Sequence, residues 1–253
     1  MPLEGKMALV TGGGRGIGQG VAEVLAEEGA TVAVNDLHLE RAAETVEKIV
    51  AAGGTAVALP FDVTDYEAVG ENVARIEAER QPLDILVNNA GIPEGRYTGP
   101  FAESQPADWE VFVHLNVYGA MNCVRSVLPG MCERGWGRVV QLSSGSAARG
   151  LPTEAGESVY GASKAFMDGL LRHVALEVAR EGVTFNAISP GVMEAARAYA
   201  DPAVIDAVLA RVPLGRLGKS REIGHAVAWL ASEEGAFVTG QVIHLNGGAY
   251  QGR

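Results

Sequence analysis

The sequence predicts a doubly wound α/β fold, a parallel sheet of seven strands with helices on both faces. Short apolar runs alternate with longer amphipathic segments along all 253 residues. Several runs are apolar at every position, the mark of strands covered on both sides. A glycine-rich turn joins the first run to the first amphipathic segment, as expected where right-handed crossovers bring every strand to end along one ligand-binding edge.

Taken in order, residues 6–11 read as a buried strand, and a helix through Val21, Val24 and Leu25 stops at Gly29. Residues 31–36 form the second strand. A helix over 39–52 then ends at Gly53-Gly54, where glycine can take the left-handed cap. Residues 55–61 repeat the strand pattern, 65–79 are helical, 84–87 are a strand, and 108 to about 134 form a long helix with a late interruption at Pro129-Gly130. Strands follow at 137–143 and 183–189 with a helix carrying Tyr160 between them. A helix over 220–232, introduced by Ser220 as a cap, precedes the last strand at 241–246. No linker, low-complexity tract or repeat divides the chain, so residues 1–253 are expected to be a single domain. The least regular stretches, 92–105, 145–158 and 192–217, all follow strands and should overhang one crevice.

Composition removes several classes of function. The chain is 47% hydrophobic and 20% charged, ample for a core. Its 31 acidic against 20 basic residues give a net charge of −11, which repels nucleic-acid backbones. No apolar run spans a bilayer and residues 1–6 lack a signal-peptide pattern, so a cytoplasmic protein without membrane association is expected. Cys123 and Cys132 are too few for a disulfide framework, and the five histidines have no ligand spacing, so no metal site is expected.

The chemistry-bearing motifs begin with Gly12, Gly13, Gly14, Arg15, Gly16, Ile17 and Gly18, between the first strand and its helix. Glycines there permit a tight turn and let a phosphate approach backbone amides at a positive helix end. Asp36 closes the second strand about twenty residues on, where a carboxylate accepts from a ribose 2′-OH and repels a 2′-phosphate. With Leu37 rather than a base after it, this favours NAD, while Arg15 leaves NADP open. Tyr160 and Lys164 sit four apart on one helix, hence on one face, a spacing that also occurs on many solvated helices. An ammonium beside a phenol favours the phenolate, which makes Tyr160 a usable acid or base.

Together with Asp62-Val63, Asn88-Asn89-Ala90-Gly91, Asn116, Ser143-Ser144 and residues 186–191 and 240–248, these motifs resemble the short-chain dehydrogenase/reductase family nearly end to end. The resemblance implies a Rossmann-like fold and a nicotinamide cofactor. It further implies that Asp62 and Val63 flank the adenine, that Asn89, Ala90 and Gly91 pass behind the cofactor, and that Lys164 holds the nicotinamide ribose. Asn116 would hold a water linking Lys164 to solvent, and Pro190, Gly191 and Val192 would contact the carboxamide. Ala195 stands where the family often has Thr. Ser144 is carried over as the catalytic serine, with Ser143 and Ser146 as alternatives because the interval to Tyr160 is longer than the family's. The expected reaction is interconversion of a secondary alcohol or polyol with a ketone, Tyr160 moving the hydroxyl proton. The alternatives are reduction of a 3-oxoacyl thioester on acyl carrier protein or CoA and, in another class, a non-catalytic NAD sensor. Tyr97, Arg149, Leu151, Glu154, Met193 and Tyr199 are candidate lining residues, Arg96 and Arg149 being the only cations placed to hold a carboxylate. Packing of the last strand across a two-fold axis would give a homotetramer.

Overall fold

The computed structural model describes residues 1–97, 99–149, 157–194 and 202–251. The described strands are β1 (Met7–Val10), β2 (Thr31–Val34), β3 (Thr55–Ala58), β4 (Ile85–Asn88), β5 (Gly137–Leu142), β6 (Val183–Pro190) and β7 (Val242–Leu245). They pair in parallel throughout, in the order β3-β2-β1-β4-β5-β6-β7. The Rossmann-like arrangement expected from the apolar runs is therefore present. β1, β4, β5 and β6 are buried at every position, whereas the edge strands β3 and β7 are only partly covered. β3 ends three residues before the predicted limit, because the Asn35 side chain donates to the carbonyls of Leu59 and Phe61 in place of a strand partner.

Helices α1 (Gly16–Glu27), α2 (Leu39–Ala51) and α9 (Ser220–Ala231) pack their apolar stripes against one face of the sheet. The other face is covered by α3 (Tyr66–Glu79), α5 (Ala120–Arg134) and α7 (Glu157–Val178). Each stripe recurs at helical spacing, as in Val69, Val73 and Ile76 of α3 or Leu171, Ala175 and Val178 of α7. The strand order reverses direction between β1 and β4, which opens a crevice above their C-terminal ends.

Three expectations change. The long helix is built of α4 (Pro106–Val113), a π-helical segment His114–Gly119 and α5, and Pro129 does not interrupt it. Met131, fully buried two residues later, keeps the chain on the helical path until Gly135 ends it at φ 68°. Ser220 is the first helical residue of α9, not its cap. The preceding Lys219 N–H donates instead to Glu222 at 2.8 Å, a carboxylate held in place by the Arg216 guanidinium at 2.7 and 2.9 Å. The stretches read as irregular contain short helices, α6 (Gly145–Ala148) and α8 (Pro202–Leu209), and a 3-10 turn Phe101–Glu103.

Candidate active site

The crevice edge starts at the glycine turn. Gly12 and Gly16 have φ of 60° and 59°, in the left-handed region that a side chain disfavours. A Cβ on Gly18 would lie 2.3 Å from the Gly12 carbonyl oxygen, so only glycine lets α1 begin directly beneath the turn. α1 enters from Arg15 with no side-chain cap and no acidic residue in its first turn, leaving its positive end available to an anion. From the segment after β4, the Asn89 amide donates to the carbonyls of Thr11 and Gly12 at 2.9 and 3.0 Å. Thr11 Oγ1 accepts from the backbone N–H groups of Asn89 and Ala90. These bonds lock the turn against the segment that follows β4.

Asp36 lies beside this turn, 6% exposed, and one carboxylate oxygen accepts the His38 N–H while Leu37 projects into solvent. A Cβ on Gly14 would lie 2.7 Å from the other Asp36 oxygen, so turn and carboxylate share one wall. Asp62 accepts from Thr64 through both N–H and hydroxyl, and the carbonyl of the buried Val63 accepts from Asn122 of α5. At the far end, Gly191 N–H donates to Leu245 of the last strand and the Val192 carbonyl accepts from Gly218, which ties the residues after Pro190 both to that strand and to the segment before α9.

Four side chains from α7 and one from the π segment meet between these ends. Lys164 is 3% exposed and donates from Nζ to the Leu142 carbonyl at 2.8 Å, and Nζ is 5.9 Å from the Tyr160 ring centroid. Burial lowers its pKa from 10.5 to about 8, with the Asp168 charge opposing the drop. Asn116 donates to Ser163 Oγ at 2.8 Å, and Ser163 donates to the Tyr160 carbonyl. The wide π turn aims Asn116 inward from a fully buried position. This accounts for a residue of poor helix propensity at that point. A Cβ on Gly91 would lie 2.6 Å from Lys164 Nζ and 2.8 Å from Asn116 Oδ1, so the chain behind β4 closes directly on both. Asn116 Oδ1 has no donor among the described residues, a polar atom fit to accept from a bound group or water.

Ser144 and Ser143 differ in direction. Ser143 is 4% exposed and donates to Asp168 at 2.8 Å, whereas Ser144 is half-buried and caps α6 by accepting the Ser146 N–H. A hydroxyl that accepts there still has its own proton to donate. A Cβ on Gly161 would lie 2.6 Å from the Ser146 carbonyl, so the Ser144 turn packs flush on α7 next to Tyr160. Asp168 was missed in the sequence, although its position four residues after Lys164 places it on the same helix face. Burial raises its pKa, against the pull of Ser143, Arg172 and Lys164. Arg149, proposed to hold a substrate carboxylate, instead donates to the Ala249 carbonyl at 2.6 Å and stands over the Tyr250 ring. Arg96 is exposed. Tyr97 lines an aromatic cleft with Phe101, Trp109 and Phe112, the last 6.0 Å from the Tyr160 ring. Met193 is buried beside a cavity of about 260 Å³ after β6. Leu151, Glu154, Ala195 and Tyr199 fall outside the described residues. Among the described residues no cluster of His, Cys, Asp or Glu could hold a metal, and no helix is long and apolar enough to cross a membrane.

A family model described as enoyl-(acyl carrier protein) reductase matches residues 12–250. The 3-oxoacyl-acyl-carrier-protein reductase of Vibrio harveyi is 38% identical over 99% of both chains. The chain belongs to the short-chain dehydrogenase/reductase family. Among solved members, a gluconate 5-dehydrogenase from Burkholderia cenocepacia in complex with NADP and tartrate has a TM-score of 0.90 at 34% identity. It covers 98% of this chain and 96% of that one. A 3-oxoacyl-acyl-carrier-protein reductase from Brucella melitensis with bound NAD has a TM-score of 0.89 at 34% identity, covering 99% and 93%. Like these short-chain dehydrogenase/reductases, the protein is an NAD(P)-dependent oxidoreductase acting on CH–OH groups. The glycine turn, the uncapped end of α1 and the Asp36 wall fit a dinucleotide at the crevice.

Proposed function

We propose that the protein interconverts a secondary alcohol or polyol with the corresponding ketone, with Tyr160 as general acid/base and NAD as the preferred cofactor. The observation that carries this reading is the approach of Gly91 to Lys164 Nζ and Asn116 Oδ1, which gathers a buried ammonium, an amide and the Tyr160 helix at the strand ends. The bound cofactor supplies the hydride acceptor or donor. Gly12 to Gly18 and the start of α1 hold its phosphates, Asp36 and Leu37 its adenosine ribose, and Asp62 and Val63 its adenine. Asn89, Ala90 and Gly91 back it, and Pro190, Gly191 and Val192 meet its carboxamide end.

Ser144 donates to the reacting oxygen, which is the geometry needed to hold charge that develops there. The engagement of Ser143 with Asp168 supports Ser144 over Ser143, and Ser146 gives its N–H to the cap. Tyr160 takes the hydroxyl proton in oxidation and returns it in reduction. Lys164 sets a positive potential beside the Tyr160 ring and binds ribose hydroxyls, and Asn116 supports the proton path behind Lys164. The commitment of Arg149 to the C-terminal segment and the aromatic cleft near Tyr160 favour a neutral substrate. Reduction of a 3-oxoacyl thioester is the second reading, favoured by the Vibrio harveyi relative. We place the enzyme in the cytoplasm as a homotetramer of single-domain chains.

The test is a panel of secondary alcohols and polyols with NAD, beside 3-oxoacyl thioesters with NADH and NADPH, followed by nicotinamide absorbance. Turnover confined to thioesters replaces the alcohol reading. Silence on every substrate favours an NAD sensor. With a working substrate, Tyr160→Phe is expected to keep NADH binding and lose turnover by about 10³-fold or more, the scale of general acid-base and electrostatic contributions. Turnover near wild type in that variant removes Tyr160 from the mechanism.

A further inference from the structure

Four charged side chains surround the glycine turn, and two of them belong to no motif of the sequence. Arg15 and Arg41 both reach the Glu94 carboxylate, at 3.2 and 2.9 Å on the same oxygen. Glu94 comes from the loop after β4, so this contact bridges from one side of the crevice to the other. Its pKa is lowered by the hydrogen bond and charge of Arg41 and, less strongly, by Arg15. Arg41 also stands 3.9 Å from Asp36, and its Cβ lies 2.6 Å from where a side chain on Gly14 would begin. Both guanidinium groups are therefore close to the wall that receives the adenosine ribose. Arg15 Nη1 is buried there with no acceptor among the described residues.

The signs of these charges matter more than any single contact. Two carboxylates and two guanidinium groups cancel, so a ribose 2′-OH meets a balanced cluster, while a 2′-phosphate adds about two negative charges to one already satisfied. Arg15 Nη1 is open to an acceptor, but to draw the Nη2 groups of Arg15 and Arg41 a phosphate would have to displace a carboxylate that is attached to the protein.

We propose that Glu94 is a specificity-determining residue that occupies Arg15 and Arg41 and thereby sets the preference for NAD over NADP. This rests on the reading of the glycine turn and Asp36 as the cofactor's adenosine site. It adds to Asp36 a second, removable anion on the opposite wall.

The experiment titrates NADH and NADPH against the intact protein by nicotinamide fluorescence, which needs no substrate. Glu94→Gln is expected to tighten NADPH about tenfold and to change NADH by less than about threefold, the range for losing two exposed ion pairs and one nearby like charge. The gain should disappear when Arg15 and Arg41 are also Gln, and should shrink as salt is raised. An unchanged NADPH-to-NADH ratio in Glu94→Gln, with NADH still bound, overturns the role of Glu94 and leaves the cofactor site standing. A gain that survives without the two arginines also overturns it. Failure of the wild type to bind NADH overturns the site and the inference together.

Discussion

Replacing Lys164 by Met isolates what the buried ammonium costs the fold. Lys164 is 3% exposed, and burial brings its pKa from 10.5 to about 8. That drop corresponds to about 3 kcal/mol, at roughly 1.4 kcal/mol for each tenfold change in proton affinity. Below pH 8 the folded and unfolded chains both hold the proton, and the whole penalty is present. Between pH 8 and 10.5 the folded state has released it while the unfolded state still binds it, so stability rises with pH through that window. From pH 7 to 10 the wild type should gain about 2 to 3 kcal/mol relative to Lys164→Met, which has no such group. At pH 7 the variant's advantage is smaller than the full penalty, because the Leu142 carbonyl loses its donor, at a cost of about 1 to 3 kcal/mol. Urea unfolding of both proteins at the two pH values, at one protein concentration, gives the comparison, and adding Tyr160→Phe to both removes the neighbouring phenol, so that titration of groups distant from Lys164 cancels in the difference. pH profiles parallel within about 0.5 kcal/mol would refute the burial argument, since even one partly desolvated ammonium exceeds that. The same variant should lose turnover.

Gly91→Ala should retain a folded protein and lose turnover by about 10²-fold, because the new methyl takes the space of Lys164 Nζ at 2.6 Å and Asn116 Oδ1 at 2.8 Å, and a displacement of about 1 Å is that costly at a reacting centre. Steady-state kinetics with a melting curve separates the effects, and wild-type turnover would show that Lys164 moves without consequence. Light scattering should give a tetramer mass. The fully exposed Phe237 and half-exposed Phe166 and Trp229 are apolar surface that an assembly would cover, and a monomer mass refutes it.

Periodicity carried most of the fold, because strands buried on both faces leave uninterrupted apolar runs and covering helices leave stripes. It failed where tertiary contacts decide the outcome. Pro129 reads as a break, yet Met131 is locked in the core beyond it, and Ser220 reads as a cap until Glu222 takes the Lys219 amide. Arg149 reads as free for a substrate, and only the packed chain reveals its bond to Ala249.

The sequence by itself determined the parallel α/β architecture, the glycine turn and the Tyr160–Lys164 face, because each depends on spacing within one element or on the residues flanking one turn. Only the tertiary structure decided that Gly91 closes on Lys164 and Asn116, that Ser143 faces Asp168, and that Glu94 reaches Arg15 and Arg41. These contacts join residues from different elements, where no periodicity relates one position to the other. The Tyr160 helix was legible early, whereas the desolvation of its lysine was not, because burial is set by the whole fold rather than by neighbours in the chain.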